Sequence, residues 1–112
     1  MTILPNNSAI GTIQFTKGTT FVLPIERTAG TALPDFTTLT WTGGIYTLID
    51  ETLVSAFTVT ASDADNITVT ISATITGALT AGKDKYGFNI IGTVGSTVYN
   101  VFKGGIIVHR KI

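Results

Sequence analysis

His109 is the only imidazole in the 112 residues, and there is no cysteine. Nucleophilic catalysis needs a base held beside a hydroxyl or thiol, and no Gly-x-Ser-x-Gly elbow supplies that pairing. With one His and no thiolate, a transition-metal site would have to be built mainly from carboxylates. The stretch Asp63-Ala64-Asp65-Asn66 has oxygens that suit calcium, but the glycine and distal glutamate of a calcium loop are missing, so it reads as a β-turn. Gly92-Thr93-Val94-Gly95 joins two strand-like runs rather than a strand and a helix, which makes it a hairpin turn and not a phosphate cradle. Glu26, Asp50, Glu51 and Asp84 are spread among turn signals and read as solvated loop ends instead of a glycosidase pair. The sequence therefore predicts no catalytic residue, no metal ligand and no cofactor.

Aromatic residues are the remaining candidates for binding. Trp41, Tyr46 and Tyr99 could each present a ring to a sugar. Trp41 alternates in step with Leu39, so it is read as a core plug in preference to a platform. Composition narrows the partners further. Seven basic residues balance seven acidic ones, which removes the long-range attraction that nucleic acid or an anionic membrane requires. Only 12% of the residues are charged, against about 25% in ordinary soluble domains. Such a surface is read as suited to burial against neighbouring proteins, as other assembly components or further copies in a homo-oligomer, in preference to a threonine-rich surface kept soluble by its hydroxyls. The start, Met1-Thr2-Ile3-Leu4-Pro5, lacks a basic region followed by an apolar run, and no stretch approaches the roughly 20 apolar residues of a membrane helix. Synthesis in a cytoplasm is expected, so the sequons Asn6-Asn7-Ser8 and Asn66-Ile67-Thr68 are read as coincidental.

The elements that would position any site are strands. Residues 1–9 lack periodicity and read as an N-terminal arm, with residues 10–112 forming one domain. Ile10–Phe15 alternates as a short strand, Lys17-Gly18 turns the chain, and Thr19–Ile25 places Phe21, Leu23 and Ile25 on one face. Pro24, unable to donate to a ladder, assigns that strand to an edge. Phe36–Thr42 is expected as a strand, Gly43-Gly44 as a tight turn, and Ile45–Ile49, apolar on both faces, as a central strand or one covered on its outer side. Ala56–Ala61 and Ile67–Ile71, apolar at odd positions and threonine-bearing at even ones, form a hairpin. Ile75 and Leu79 suggest one helical turn ended by Gly82. Lys85–Thr93, Thr97–Phe102 and Ile106–His109, parted by glycine pairs, read as a three-stranded meander. The expected fold is an all-β, immunoglobulin-like antiparallel sandwich of about seven to nine short strands with one helical turn.

A wider resemblance covers about residues 15–109. Lys17-Gly18-Thr19-Thr20-Phe21, Phe36-Thr37-Thr38-Leu39-Thr40, Ile45–Ile49, Thr76–Gly82, Tyr86-Gly87-Phe88-Asn89-Ile90 and Phe102–Val108 together resemble small virion proteins of tailed bacteriophages. Their described relatives look like the immunoglobulin-like N-terminal domain of baseplate upper proteins. The chain differs from that pattern at Thr19, where an Asp is usual, and at Gly87, where an acidic residue is usual. The resemblance implies a non-enzymatic virion component: capsid cement or decoration protein first, a tail or baseplate adaptor second. A carbohydrate-binding module is the opposing class. Contacts with capsid, tail or baseplate proteins would use the arm, through Ile3, Leu4 and Pro5, and the edge strand, through Phe21, Val22, Leu23, Pro24 and Ile25.

Overall fold

Period-two alternation of apolar residues with threonine builds most of the chain into strands, because β-branched side chains suit a half-buried pleat. The structure, a computed structural model, describes residues 2–3, 9–27 and 34–110. Among the described residues the strands are β1 (Thr2–Ile3), β2 (Ala9–Thr16), β3 (Phe21–Arg27), β4 (Thr40–Thr47), β5 (Leu53–Asp63), β6 (Asn66–Ile71), β7 (Gly82–Val94) and β8 (Thr97–His109). The short helix α1 (Ala73–Ala78) lies between β6 and β7. Hydrogen bonding runs in the order β1-β3-β6-β5-β4-β7-β8-β2.

Strand β5 makes this a sandwich. Its first half pairs with β4, from Leu53↔Tyr46 to Phe57↔Gly43, and its second half pairs with β6, from Thr58↔Thr70 to Asp63↔Asn66. The strand thus leaves one layer and enters the other, giving the layers β1-β3-β6-β5 and β5-β4-β7-β8-β2. This is the immunoglobulin-like arrangement. Most pairings are antiparallel, but β1 on β3 and β2 on β8 are parallel. For β2 the reason lies in the turn that follows it. Lys17-Gly18 carries the chain to the opposite layer, with Gly18 at φ 79°, so β2 lies beside the C-terminal strand instead of pairing with β3.

The core fills the space between the layers. Ile25, Ile45, Ile67, Ile71, Ile90, Phe102 and Ile106 are fully buried in it, and Phe88 meets Phe102 edge-on at 5.0 Å between ring centroids. Two local features lock the ends. Thr76 of α1 is buried; its hydroxyl accepts the Gly18 N–H at 3.1 Å and donates to the Thr19 carbonyl at 2.7 Å. Tyr86 sits near the start of β7, and its Oη accepts the Thr80 N–H at 2.9 Å. That back-bond is the tyrosine corner of immunoglobulin-like domains, with Phe88 two residues on where antibody domains place a cysteine.

Several sequence expectations are corrected. Phe36–Thr38 is a 3-10 turn and not a strand: Asp35 Oδ1 accepts the Thr37 N–H at 2.8 Å, and Phe36 is driven inward as a fully buried plug. Gly43 and Gly44 make no turn but lie inside β4. A Cβ on Gly43 would fall 2.2 Å from Phe57 Cε1, so the glycine is there to let a cross-strand ring lie over it. Strand β4 ends at Thr47, leaving Leu48 and Ile49 in the following turn. The expected meander is one hairpin of two 13-residue strands. Gly104 continues β8 because it passes Gly11 of β2 so closely that a Cβ would come 1.5 Å from the Gly11 carbonyl oxygen. Helix α1 stops at Ala78, with Leu79 as its C-cap, before Gly82 is reached. Strand β2 begins at Ala9, and Thr2–Ile3 pairs with the chain's own Glu26–Arg27, so the arm is partly tied to its own domain.

Candidate interaction surface

Several of the residues weighed for chemistry make hydrogen bonds within the fold. His109 Nε2 lies 2.8 Å from Gln14 Oε1 on the exposed outer face of the β2–β8 pair. Asp63 Oδ1 accepts the Asp65 N–H and the Asn66 amide, each at 2.9 Å, which builds the β5–β6 turn. These bonds favour the ionised carboxylate and hold Asp63 below its ordinary range, the Asp65 N–H contributing most. Asp65 in turn meets Arg27 at 2.7 Å. Among the described residues no three His, Asp or Glu side chains gather into a metal-binding group. Gly95-Ser96 forms the two-residue turn between Val94 and Thr97, with Gly95 at φ 59°.

The edge-strand candidates divide by alternation. Val22 and Pro24 face outward and are exposed, whereas Ile25 is fully buried and Phe21 and Leu23 pack against the core. Phe21, Leu23 and Ile25 turn their side chains toward the interior, so Val22 and Pro24 are the side chains this strand presents outward. Among the described residues strand β1 pairs with the Glu26–Arg27 end of β3, and Pro24 brings no N–H to that edge. Ile3 lies in β1, and Leu4 and Pro5 lie outside the described residues.

Of the aromatic candidates, Trp41 packs edge-on against Phe36 at 5.1 Å and donates its indole N–H to the Phe36 carbonyl at 3.0 Å. Tyr99 is likewise half-buried against the core. Tyr46 differs. Its neighbour Ile45 points inward, so its own ring lies on the outer face of the β5-β4-β7-β8-β2 layer. The ring lies back over Gly44, where a Cβ would come 3.0 Å from Tyr46 Oη and 3.2 Å from Leu53 Cδ1.

That outer face carries an open groove of about 580 Å³, lined by Tyr46, Leu48, Glu51, Asn89 and Lys103 among others. One row across the strands is set by register: Leu53↔Tyr46, Tyr46↔Gly87, Gly87↔Gly105. Around its β4–β5 end stand four exposed large apolar side chains: Leu48 at 48%, Ile49 at 97%, Leu53 at 55% and Val54 at 43%. Their exposure follows from local geometry. The turn is closed by the Thr52 carbonyl accepting from the Thr47 N–H at 3.0 Å, with Glu51 at φ 56°. A register shift at Ile45/Tyr46 leaves Val54 without a directly opposed residue on β4. Sequence reading assigned Ile45–Ile49 to one covered strand and so missed this corner; the available signal was Asp50-Glu51-Thr52, close enough behind Ile49 to pull it into the turn.

A scan of protein-family models gives no match to this chain, and a search of curated proteins gives none either.

Proposed function

We propose that this chain is a non-enzymatic structural protein of a tailed-phage virion, acting as capsid cement through protein–protein contacts. The observation that carries the reading is the apolar corner Leu48, Ile49, Leu53 and Val54 on a chain with only 12% charged residues. A single exposed Leu means little, but four large apolar side chains within seven positions mark a surface that is stable when covered. The resemblance of residues 15–109 to small virion proteins supplies the setting. A tail or baseplate adaptor would use the same corner, and the neighbouring genes separate the two: a major capsid protein beside this gene favours cement, a tape-measure or baseplate gene the tail. The carbohydrate-binding alternative rests on Tyr46 alone, since Trp41 and Tyr99 pack against the core.

The test is occupancy of purified virions, measured by mass spectrometry and by re-binding of the purified chain to particles lacking it. Ile49→Ser combined with Val54→Ser is expected to leave the fold intact, as both side chains are solvent-exposed, and to lower occupancy at least tenfold. Particles that contain no copy of the chain and take none up overturn the proposal. Glycan binding lost in Tyr46→Ala, with no particle binding, would favour the opposing class.

A further inference from the structure

Unpaired backbone groups gather along one border of the sandwich. Strand β2 pairs with β8 in unbroken register from Ala9↔Phe102 to Thr16↔His109 and stands last in the strand order, so among the described residues nothing pairs with its other side. In a parallel ladder successive residues turn their N–H and C=O to opposite sides. The Lys17 N–H donates to the His109 carbonyl at 3.0 Å, and the Gly11 carbonyl lies against Gly104, so the odd-numbered residues face β8. The even-numbered ones, Ile10, Thr12, Gln14 and Thr16, therefore face the open border. The Thr16 carbonyl is taken by the Thr19 N–H and hydroxyl. Among the described residues, Ile10, Thr12 and Gln14 keep donor and acceptor both free, a set centred on Thr12.

Backbone donors and acceptors at this spacing recognise another extended backbone. The border of the opposite layer, β3, is guarded against one: Pro24 lacks an N–H, Glu26 and Arg27 carry charge, and β1 pairs with its end. Residues 9–16 contain no proline and no charge. A second copy supplies the strand that fits. Turned about a two-fold axis through Thr12 and perpendicular to the sheet, it brings Thr12 against Thr12, Ile10 against Gln14 and Gln14 against Ile10. Each such pair exchanges two hydrogen bonds, so every free group of the set is satisfied on both copies. The nearest cations do not oppose the approach. Lys17 stands about 33 Å from its counterpart and Lys103, the β8 partner of Ile10, about 20 Å from its own, both beyond the Debye length of about 8 Å.

We propose that β2 pairs antiparallel with β2 of a second copy about a two-fold at Thr12, joining two β4-β7-β8-β2 sheets into one continuous sheet. The pairing goes beyond the proposed function: it uses neither the apolar corner nor a virion. It also commits the chain to closed pairs, because each copy spends its one open β2 border on the other.

Sedimentation equilibrium of the full chain is expected to show 11.8 kDa monomer passing to a species of twice that mass as concentration rises. Thr12 is exposed, so Thr12→Lys leaves the protomer's melting temperature unchanged. In the dimer it sets two like charges directly opposite each other and weakens association by about tenfold or more. Thr12→Glu alone does the same, whereas an equimolar mixture of Thr12→Lys and Thr12→Glu chains forms a one-to-one heterodimer at least as tight as the parent pair. Damage to β2 itself would not be repaired by mixing. Amide exchange gives a second readout: at dimerising concentration Ile10, Thr12 and Gln14 slow, while Gly11, Ile13 and Phe15, already bonded to β8, are slow throughout. A chain that stays monomeric at millimolar concentration, a dimer unmoved by Thr12→Lys, a mixture that restores nothing, unchanged exchange at Ile10, Thr12 and Gln14, or oligomers growing past two overturns the proposal.

Discussion

Gly43→Ala is the most revealing single substitution in the core. The backbone at Gly43 is ordinary extended strand, so an alanine is not strained by its own φ. The added methyl would instead land 2.2, 2.5 and 2.8 Å from Cε1, Cδ1 and Cζ of Phe57, its register partner on β5. All three distances are below any real carbon contact, so the ring must rotate out of its well or β5 must shift. Overpacking of this kind costs about 1–3 kcal/mol, and the lower chain entropy of unfolded alanine returns about 0.4–1 kcal/mol. The net loss is about 1–2 kcal/mol, which for a domain of this size lowers Tm by about 4–8 °C. Calorimetry and urea unfolding measure it. Phe57→Ala alone should cost about 3–5 kcal/mol, as for other buried rings. In the double variant the Gly43→Ala penalty should vanish, giving a favourable coupling of about 1–2 kcal/mol. A Gly43→Ala protein as stable as the parent, or strict additivity of the pair, would refute the claim that this glycine exists to accommodate the Phe57 ring.

Thr76→Val keeps the side-chain volume of the buried threonine but strands the Gly18 N–H that its hydroxyl accepts; a loss of about 1–3 kcal/mol in urea unfolding is expected. Tyr86→Phe removes the acceptor for the Thr80 N–H, so stability should fall by about 0.5–1 kcal/mol, with faster amide exchange at Thr80. The same tyrosine is pulled two ways: burial raises its pKa, but the Thr80 hydrogen bonds and the nearby Lys85 and Lys17 outweigh that, leaving it lowered. Acid should weaken the fold through Asp35, Asp50 and Asp63. Each is held below 3.8, chiefly by Thr37, by Thr47 and by the Asp65 N–H respectively. A depressed folded pKa means that the contribution is fully present above 3.8 and is lost as pH falls through the lowered value. Tm measured from about pH 5 to about pH 2.5 should therefore drop, and Asp50→Asn should flatten part of the curve; a flat parent curve would contradict the turn bonds.

Legibility in the sequence tracked how local the deciding physics was. The β5–β6 hairpin was readable because Val59, Ala61, Ile67 and Val69 alternate strictly with threonine and the link is short. The inward set Phe21, Leu23 and Ile25 was readable for the same reason. Glycines misled where their purpose was close approach: Gly43 makes room for Phe57, and Gly104 for the Gly11 backbone, partners distant in sequence that no local pattern names. Phe36–Thr38 alternates like a strand, yet the Asp35 cap and the pull of a fully buried ring fold it into a 3-10 turn. The candidate surface was the least legible part. Its row depends on the registers of β4, β5, β7 and β8 together, and its apolar corner depends on where β4 stops.

Solvent footprinting tests most directly whether this chain works by covering its outer sheet face. Hydroxyl-radical oxidation of Tyr46, Leu48 and Leu53, compared between the dilute chain and the particle-bound chain, should show strong protection of all three on binding, while exposed Val22 on the opposite layer reports the general change in access. Equal oxidation of Tyr46, Leu48 and Leu53 in both states would contradict it.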